Sequence, residues 1–212
     1  MERSIIIMII IAILFSILYL CLIFWLYEGL KKLKSKYVTF KNNKPPVSII
    51  ISAKDEENNL HQLFNTFLSQ SYPQDLIELI IVNDRSTDTT SSIISEYKNQ
   101  YPFVKTINID KTKDGWAPKK WALHLAIKKS SHDIILQTDA DCIPHPQWIE
   151  EMVKPFSDSS VGFISAPAPL TNRNTFMDDI FELDSMAQDA FSAGGIGQGV
   201  VYSCTGRNMG FL

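Results

Sequence analysis

The first stretch of the chain is apolar without any period. From Ile5 to Leu26 Ser16 is the one clearly polar side chain in 22 residues. As a helix this run extends about 33 Å at ~1.5 Å per residue, enough to cross a hydrocarbon core of roughly 30 Å. Tyr19, Trp25 and Tyr27 supply the aromatic side chains expected near an interface. A cleavable signal would have a shorter apolar core, about 7–15 residues, and small residues at its cut site. Here Trp25-Leu26-Tyr27-Glu28 follows instead. The pattern therefore predicts an uncleaved anchor over residues 1–30 and a basic juxtamembrane linker over 31–45. Lys31, Lys32, Lys34 and Lys36 outweigh Arg3 and the terminal amine on the other side, which predicts a single-pass membrane protein with its remaining chain in the cytosol.

Past the Pro45-Pro46 pair the pattern changes to alternating elements. Val47–Ala53 is a continuous β-branched run, as in a strand buried on both faces. Asp55–Gln70 carries Leu60, Leu63, Phe64, Phe67 and Leu68 at helical spacing. Further strands are expected at Ile77–Val82, Val104–Ile109, Asp133–Thr138 and Val161–Ala166. Helices are expected at Thr87–Gln100, with Ile93, Ile94 and Tyr97 inward, at Ala117–Lys128, and at Pro146–Lys154 with proline in its first turn. Strands separated by helices of this length give an α/β fold with a mostly parallel sheet flanked by helices. No internal repeat interrupts it, and residues 46–212 read as one domain.

Charge and cysteine content narrow the function. A formal net charge of -3 disfavours nucleic acid as the partner, since phosphate-binding surfaces are basic. Cys21, Cys142 and Cys204 have the spacing of neither a disulfide framework nor a zinc site, and Cys21 lies inside the apolar run. Free thiols in a reducing compartment are the simpler reading.

Ligands of parallel α/β sheets bind at the carboxyl ends of the strands. Three expected strands end in carboxylates: Lys54-Asp55-Glu56-Glu57, Asn83-Asp84-Arg85-Ser86 and Asp139-Ala140-Asp141. Crowded carboxylates repel unless a cation or donors compensate. A hard divalent ion, Mg²⁺ or Mn²⁺, is suited to oxygen ligands and commonly shares them with phosphates. Asp139 and Asp141 stand two apart after an apolar strand, so in extended chain both point the same way. An Asp-x-Asp alone is a weak signal, because aspartate is common in solvated turns.

The segments PVSIIISAKDEENNL (46–60), IIVNDRSTDTT (80–90), PKKWALHLAI (118–127) and QTDADCIPHPQWIEEM (137–152) are more specific together. Their order and spacing resemble those of family-2 glycosyltransferases with the GT-A fold. The resemblance implies a nucleoside-diphosphate sugar as donor, a divalent metal, and a lipid-linked or envelope glycan acceptor. It sets Ala53, Asp55 and Glu56 beside the nucleotide, with Asp55 where asparagine is usual. It sets Asp84 on the base, Lys119 near the nucleotide or diphosphate, and Asp139 and Asp141 at the metal and ribose-diphosphate. Gly206 and Asn208, in Thr205-Gly206-Arg207-Asn208-Met209, match a Gly-x-Asn segment on the acceptor side. A metal and a lysine neutralising a diphosphate leaving group are consistent with transfer chemistry. The family's general base lies some twenty or more residues beyond the Gly-x-Asn segment, so it is expected beyond Leu212, in a chain truncated at its C-terminus.

Other candidates carry less. Cys142 and His145 are three apart, but a structural zinc needs about four ligands; His145 remains a possible extra ligand at the diphosphate metal. His61, His124 and His132 have no evident partners and read as surface or packing residues. Gly194–Gly199 resembles a phosphate loop but lacks the following Lys-Ser/Thr, so it is expected as a flexible loop beside the acceptor. Asp178, Asp179, Glu182 and Asp184 read as the polar side of a helix. Two rival functions share the pattern: a non-catalytic membrane-bound nucleotide-sugar-binding module, and a sugar-nucleotide nucleotidyltransferase. The second would need a glycine-rich basic loop after the first strand, where this chain is acidic. A phospho-accepting receiver domain also gathers acids at strand ends, without an anchor or an Asp-x-Asp.

Overall fold

The computed structural model describes residues 2–33, 44–169 and 175–212. Lys34 and Lys36 of the expected linker lie outside them. Two compact units are formed, one from Met1–Lys36 with Asn172–Cys204, the other from Tyr37–Thr171 with Thr205–Leu212.

The first unit consists of two helices, α1 (Glu2–Lys32) and α6 (Phe176–Gly197). Within Arg3–Lys32 of α1 an 18-residue window has a mean hydropathy of 3.2, and that window is entirely uncovered. Among the described residues it is the one helix long and apolar enough to cross a membrane. α6 begins with a capping box, in which Asp178 N donates to Thr175 Oγ1 at 3.2 Å and Thr175 N donates to Asp178 Oδ2 at 2.9 Å. The expected flexible loop at Gly194–Gly199 is not one. α6 continues through Gly197 and breaks at Gly199, whose φ is 81°. Those glycines serve close helix packing: a Cβ on Gly29 would fall 1.9 Å from the Gly194 carbonyl oxygen.

The second unit is a six-stranded sheet. Its strands are β1 (Val47–Ala53), β2 (Ile77–Asp84), β3 (Val104–Ile109), β4 (Ile134–Thr138), β5 (Phe163–Ser165) and β6 (Asn208–Phe211). The order is β3-β2-β1-β4-β6-β5, with β6 antiparallel to both neighbours and the other pairings parallel. Period-two alternation divides the core between two faces. Ile49, Ile51, Leu79 and Ile81 pack toward α2 (Leu60–Leu68), α3 (Thr90–Gln100) and α5 (Trp148–Val153). Ile50, Ile80, Val82 and Ile135 pack toward Ala122 and Ala126 of α4 (Pro118–Lys129).

Helices α2 and α3 start later than the periodicity predicts, at Leu60 and Thr90 rather than Asp55 and Thr87. The residues ahead of them are sewn into one another. Asp55 Oδ1 accepts from Thr87 N at 2.7 Å, Glu56 N donates to Thr90 Oγ1 at 2.8 Å, and Glu57 Oε2 accepts from Thr89 N at 3.0 Å. These side chains offer the backbone an alternative to the first helical turn. α5 and β5 are also shorter than expected, and the chain continues past α5 as a 3₁₀ turn over Lys154–Ser157.

β2 is buried throughout and still contains Glu78. Ser48 Oγ donates to its Oε2 at 2.5 Å, Ser131 N to Oε2 at 2.8 Å and Ser131 Oγ to Oε1 at 2.8 Å, with Lys105 Nζ also on Oε1. Burial alone would raise the Glu78 carboxyl. The lysine and the serine donors outweigh it and hold the group at about 2. The network closes the amino-end edge of the sheet, remote from the strand ends where ligands bind.

Candidate functional site

The chain runs from β1 outward to β2 and β3, then crosses to the other side of β1 for β4. The strand order thus reverses between β1 and β4, and that is where an open α/β sheet leaves a crevice beyond its carboxyl edge. Asp139 follows β4 immediately. Lys119, in the first turn of α4, places its Nζ 2.7 Å from Asp139 Oδ1.

A cleft of about 340 Å³ opens here, lined among others by Thr138, Asp139, Asp141, His145, Trp148 and Asn208. Its far wall is Pro167–Pro169 with Arg207. Trp148 and Asn208 brace that wall: the indole Nε1 donates to Asn208 Oδ1 at 2.9 Å, and Asn208 Nδ2 donates to the Pro167 carbonyl at 2.7 Å.

Of the residues singled out by sequence, Asp139, Asp141 and Asn208 line the cleft, and Lys119 joins through Asp139. Ala53 is fully buried at the end of β1, so only its backbone faces the edge. Asp55 adopts a left-handed φ of 55°, with its carboxylate engaged by Thr87. The Glu56 carboxylate accepts from Asn59 Nδ2 at 2.7 Å. Asp84 is buried and accepts from Arg85 Nε at 2.8 Å; Arg85 too has a positive φ, 59°. These four lie along the same strand-end edge and outside the cleft lining. The Gly206 carbonyl accepts from Gln137 Nε2 at 2.5 Å. A Cβ there would meet nothing nearer than 3.7 Å, so packing does not demand glycine at that position.

His145 lines the cleft with Nε2 3.3 Å from Glu151 Oε2. Burial pushes the Cys142 thiol above its ordinary range, opposed by hydrogen bonds to Thr138 and the Asp139 backbone. All three cysteines are free. His124 and His61 have partners the sequence did not reveal. His124 stacks on Trp121 with ring centroids 5.5 Å apart, and also meets Trp116 at 4.8 Å. His61 Nδ1 lies 3.2 Å from the Tyr97 hydroxyl. For the tryptophan cluster a signal existed, since Trp121 and His124 stand three apart on one helix face. The bracing pair Trp148–Asn208 has no such signal.

A divalent ion fits this donor set. Asp139 and Asp141 offer hard oxygen ligands at one edge of the cleft, the chemistry that Mg²⁺ and Mn²⁺ take. No group of three or more His, Cys, Asp or Glu side chains able to hold a metal occurs among the described residues. An ion here would therefore draw its remaining ligands from phosphate and water.

The architecture is that of the GT-A class. A mannosyltransferase from Pyrobaculum calidifontis, PcManGT, solved in complex with GDP-Man and Mn²⁺, superposes with a TM-score of 0.64 at 18% identity, covering 91% of this chain and 52% of its own. S. aureus TarS in complex with UDP gives a TM-score of 0.52 at 21% identity, over 61% of this chain and 38% of that one. A family profile, Glycosyl transferase family 2, matches residues 48–184, and the chain belongs to that family. The probable glycosyltransferase YdaM of Bacillus subtilis (strain 168) is 32% identical over 127 residues, 55% of this chain and 30% of the relative. Glycosyltransferase AglE of Haloferax volcanii is 30% identical over 130 residues, 61% of this chain and 41% of the relative. The chain thus spans well under half the length of these two relatives.

Proposed function

We propose that the protein transfers a sugar from a nucleoside-diphosphate donor to a hydroxyl of a lipid-linked or envelope glycan acceptor, with inversion and with a divalent metal. The observation that carries this reading is the meeting of Lys119, Asp139 and Asp141 beyond the switch point of a parallel sheet. Family membership supports it, and so does the presence of nucleotide sugars or nucleotides in the solved structures that share the fold.

Asp139 and Asp141 would hold the ion, which supplies positive charge to a departing diphosphate. Lys119 places a second positive charge at the same point. It sits in the first turn of α4, where unpaired backbone N–H groups and the helix dipole also favour an anion. Asp84 is assigned to the nucleotide base and Ala53, Asp55 and Glu56 to the rest of the nucleotide. Their interlocked hydrogen bonds would fix the edge before the donor arrives, so that little ordering entropy is lost on binding. Gly206 and Asn208 are assigned to the acceptor side. α1 is read as an anchor that holds the domain at the cytosolic face of a membrane, where a bilayer-held acceptor and a soluble donor meet.

The test is calorimetric titration of the full chain in lipid nanodiscs with UDP and GDP, with and without Mn²⁺, repeated on Asp141→Ala. Metal-dependent binding of one nucleotide, lost in the variant, is the expected result. Failure of a folded protein to bind either nucleotide would overturn the donor-site assignment.

A further inference from the structure

Burial along α6 runs against its polarity. Asp178, Glu182, Ser185, Asp189 and Ser192 recur three or four residues apart on one face, and these polar positions are half-buried. The opposite face carries Phe176, Ile180, Leu183 and Phe191, bordered by Met177 and Asp184 on one side and Asp179 on the other, and all are exposed. Phe176 is 77% exposed, Leu183 68% and Phe191 43%. A helix in water buries its apolar stripe, and a contiguous uncovered stripe marks a contact surface.

The rest of the unit points to lipid as what covers it. α6 packs its glycine end on the end of α1, with Gly194 against Leu26 and Gly197 against Gly29. Gln198 Nε2 donates to the Trp25 carbonyl, and Gln198 Oε1 accepts from Lys32 Nζ. The joint therefore sits among Trp25, Tyr27, Lys31 and Lys32, the aromatic and basic composition found at the edge of a bilayer. From there α1 leads away as a helix with exposed apolar side chains from Ile5 to Phe24. α6 itself cannot span, because Asp178, Asp179, Glu182, Asp184 and Asp189 fall within its 22 residues. A helix with one apolar and one charged face lies in the interface plane instead.

We propose that α6 is an interfacial helix, its Phe176–Leu183–Phe191 stripe seated in the headgroup and acyl boundary beside the end of α1 and its acidic face turned from the lipid. The proposal rests on reading α1 as a membrane anchor. It gives the domain a second hold on the surface, driven by apolar burial, since the described part of α6 carries no lysine or arginine.

Site-directed spin labelling of the full chain in phosphatidylcholine nanodiscs tests it. Single cysteines at Phe176→Cys, Leu183→Cys and Phe191→Cys are compared with Ser185→Cys and Ser192→Cys, in a background of Cys21→Ser, Cys142→Ser and Cys204→Ser. Phe15→Cys on α1 is the reference. Labels at 176, 183 and 191 are expected to collide with oxygen severalfold more readily than with a water-soluble nickel chelate, as at Phe15, and labels at 185 and 192 are not. Nickel access at 176, 183 and 191 with a lipid-like Phe15 would overturn the placement of α6 and leave the anchor standing. Access by neither reagent would mean that protein, such as a second copy of the chain, covers the stripe, and would also overturn it. Nickel access at Phe15 would overturn the anchor and the interfacial helix together.

Discussion

Lys119 Nζ stands 2.7 Å from Asp139 Oδ1, with the ammonium side chain 57% and the carboxylate 27% exposed. A pair this open adds about 0–1 kcal/mol to folding. The lysine also sits in the first turn of α4, the wrong end of a helix for a cation. Stability does not account for it, whereas an anionic ligand would. Lys119→Met is therefore expected to leave the unfolding free energy within about 1 kcal/mol of wild type. Nucleoside-diphosphate affinity is expected to fall by roughly tenfold or more, as loss of a charge-assisted phosphate contact implies. Urea unfolding and calorimetric titration of the same variant separate the two.

Most of the sheet was legible because buried parallel strands announce themselves as β-branched runs, as Val47–Ala53 does to the residue. The Asp-x-Asp stands out because it follows a strand, and strand ends are where ligands bind; Lys119 is singled out by the family resemblance alone. What stayed hidden depended on distant partners. β6 is four residues, Asn-Met-Gly-Phe, and exists because β4 and β5 both offer an edge to it. The Trp148–Asn208 brace joins positions 60 apart in sequence, and no local pattern encodes it. Gly194–Gly199 reads as a loop because glycine signals both loose turns and close helix packing, and only the partner Gly29 distinguishes them.

Glu78 gives the fold a definite acid response. Its folded-state carboxyl is held at about 2, below its ordinary value of 4.5. A depressed carboxyl contributes stability that is fully present above 4.5 and is lost as pH falls through about 2. Glu78→Gln is expected to cost about 1–3 kcal/mol at neutral pH, since Lys105 and the serines lose a charged acceptor. The gap to wild type should narrow below pH 4.5 and close near pH 2, as measured by urea midpoints across that range.

Asn208 satisfies the Trp148 indole on one side and the Pro167 carbonyl on the other, while 9% exposed. Asn208→Ala leaves both without that partner, which costs about 1–3 kcal/mol. A residue that merely contacts acceptor would not lower stability. A drop in the urea midpoint with a red-shifted tryptophan emission is the expected outcome, and an unchanged midpoint would contradict the bracing role.

Gly29 meets the Gly194 carbonyl so closely that no Cβ fits without a backbone shift. Gly29→Ala is expected to cost about 1–3 kcal/mol of the α1–α6 packing. Hydrogen exchange of the Gln198–Val200 amides, which bond back to Gly194–Ile196, reads the loss directly. Faster exchange confined to that turn is expected.

Cys142 reports on the cleft without any assay of transfer. Burial raises its thiol first, and the Asp141 and Asp139 carboxylates add to the rise, so at a given pH less thiolate is present than for an ordinary cysteine. Cys204 is exposed. At pH 8, modification by a thiol-disulfide reagent, followed peptide by peptide, is expected to be roughly tenfold slower at Cys142 than at Cys204. The difference should shrink as pH rises and the buried thiol ionises. The Cys142 sulfur also lies 3.8 Å from Asp141 Oδ1 in the same cleft. Asp141→Asn removes one source of repulsion and should speed Cys142 while leaving Cys204 unchanged. A nucleoside diphosphate with Mn²⁺ should slow Cys142 selectively in wild type and not in Asp141→Asn. Equal protection in both proteins would place the nucleotide away from Asp141.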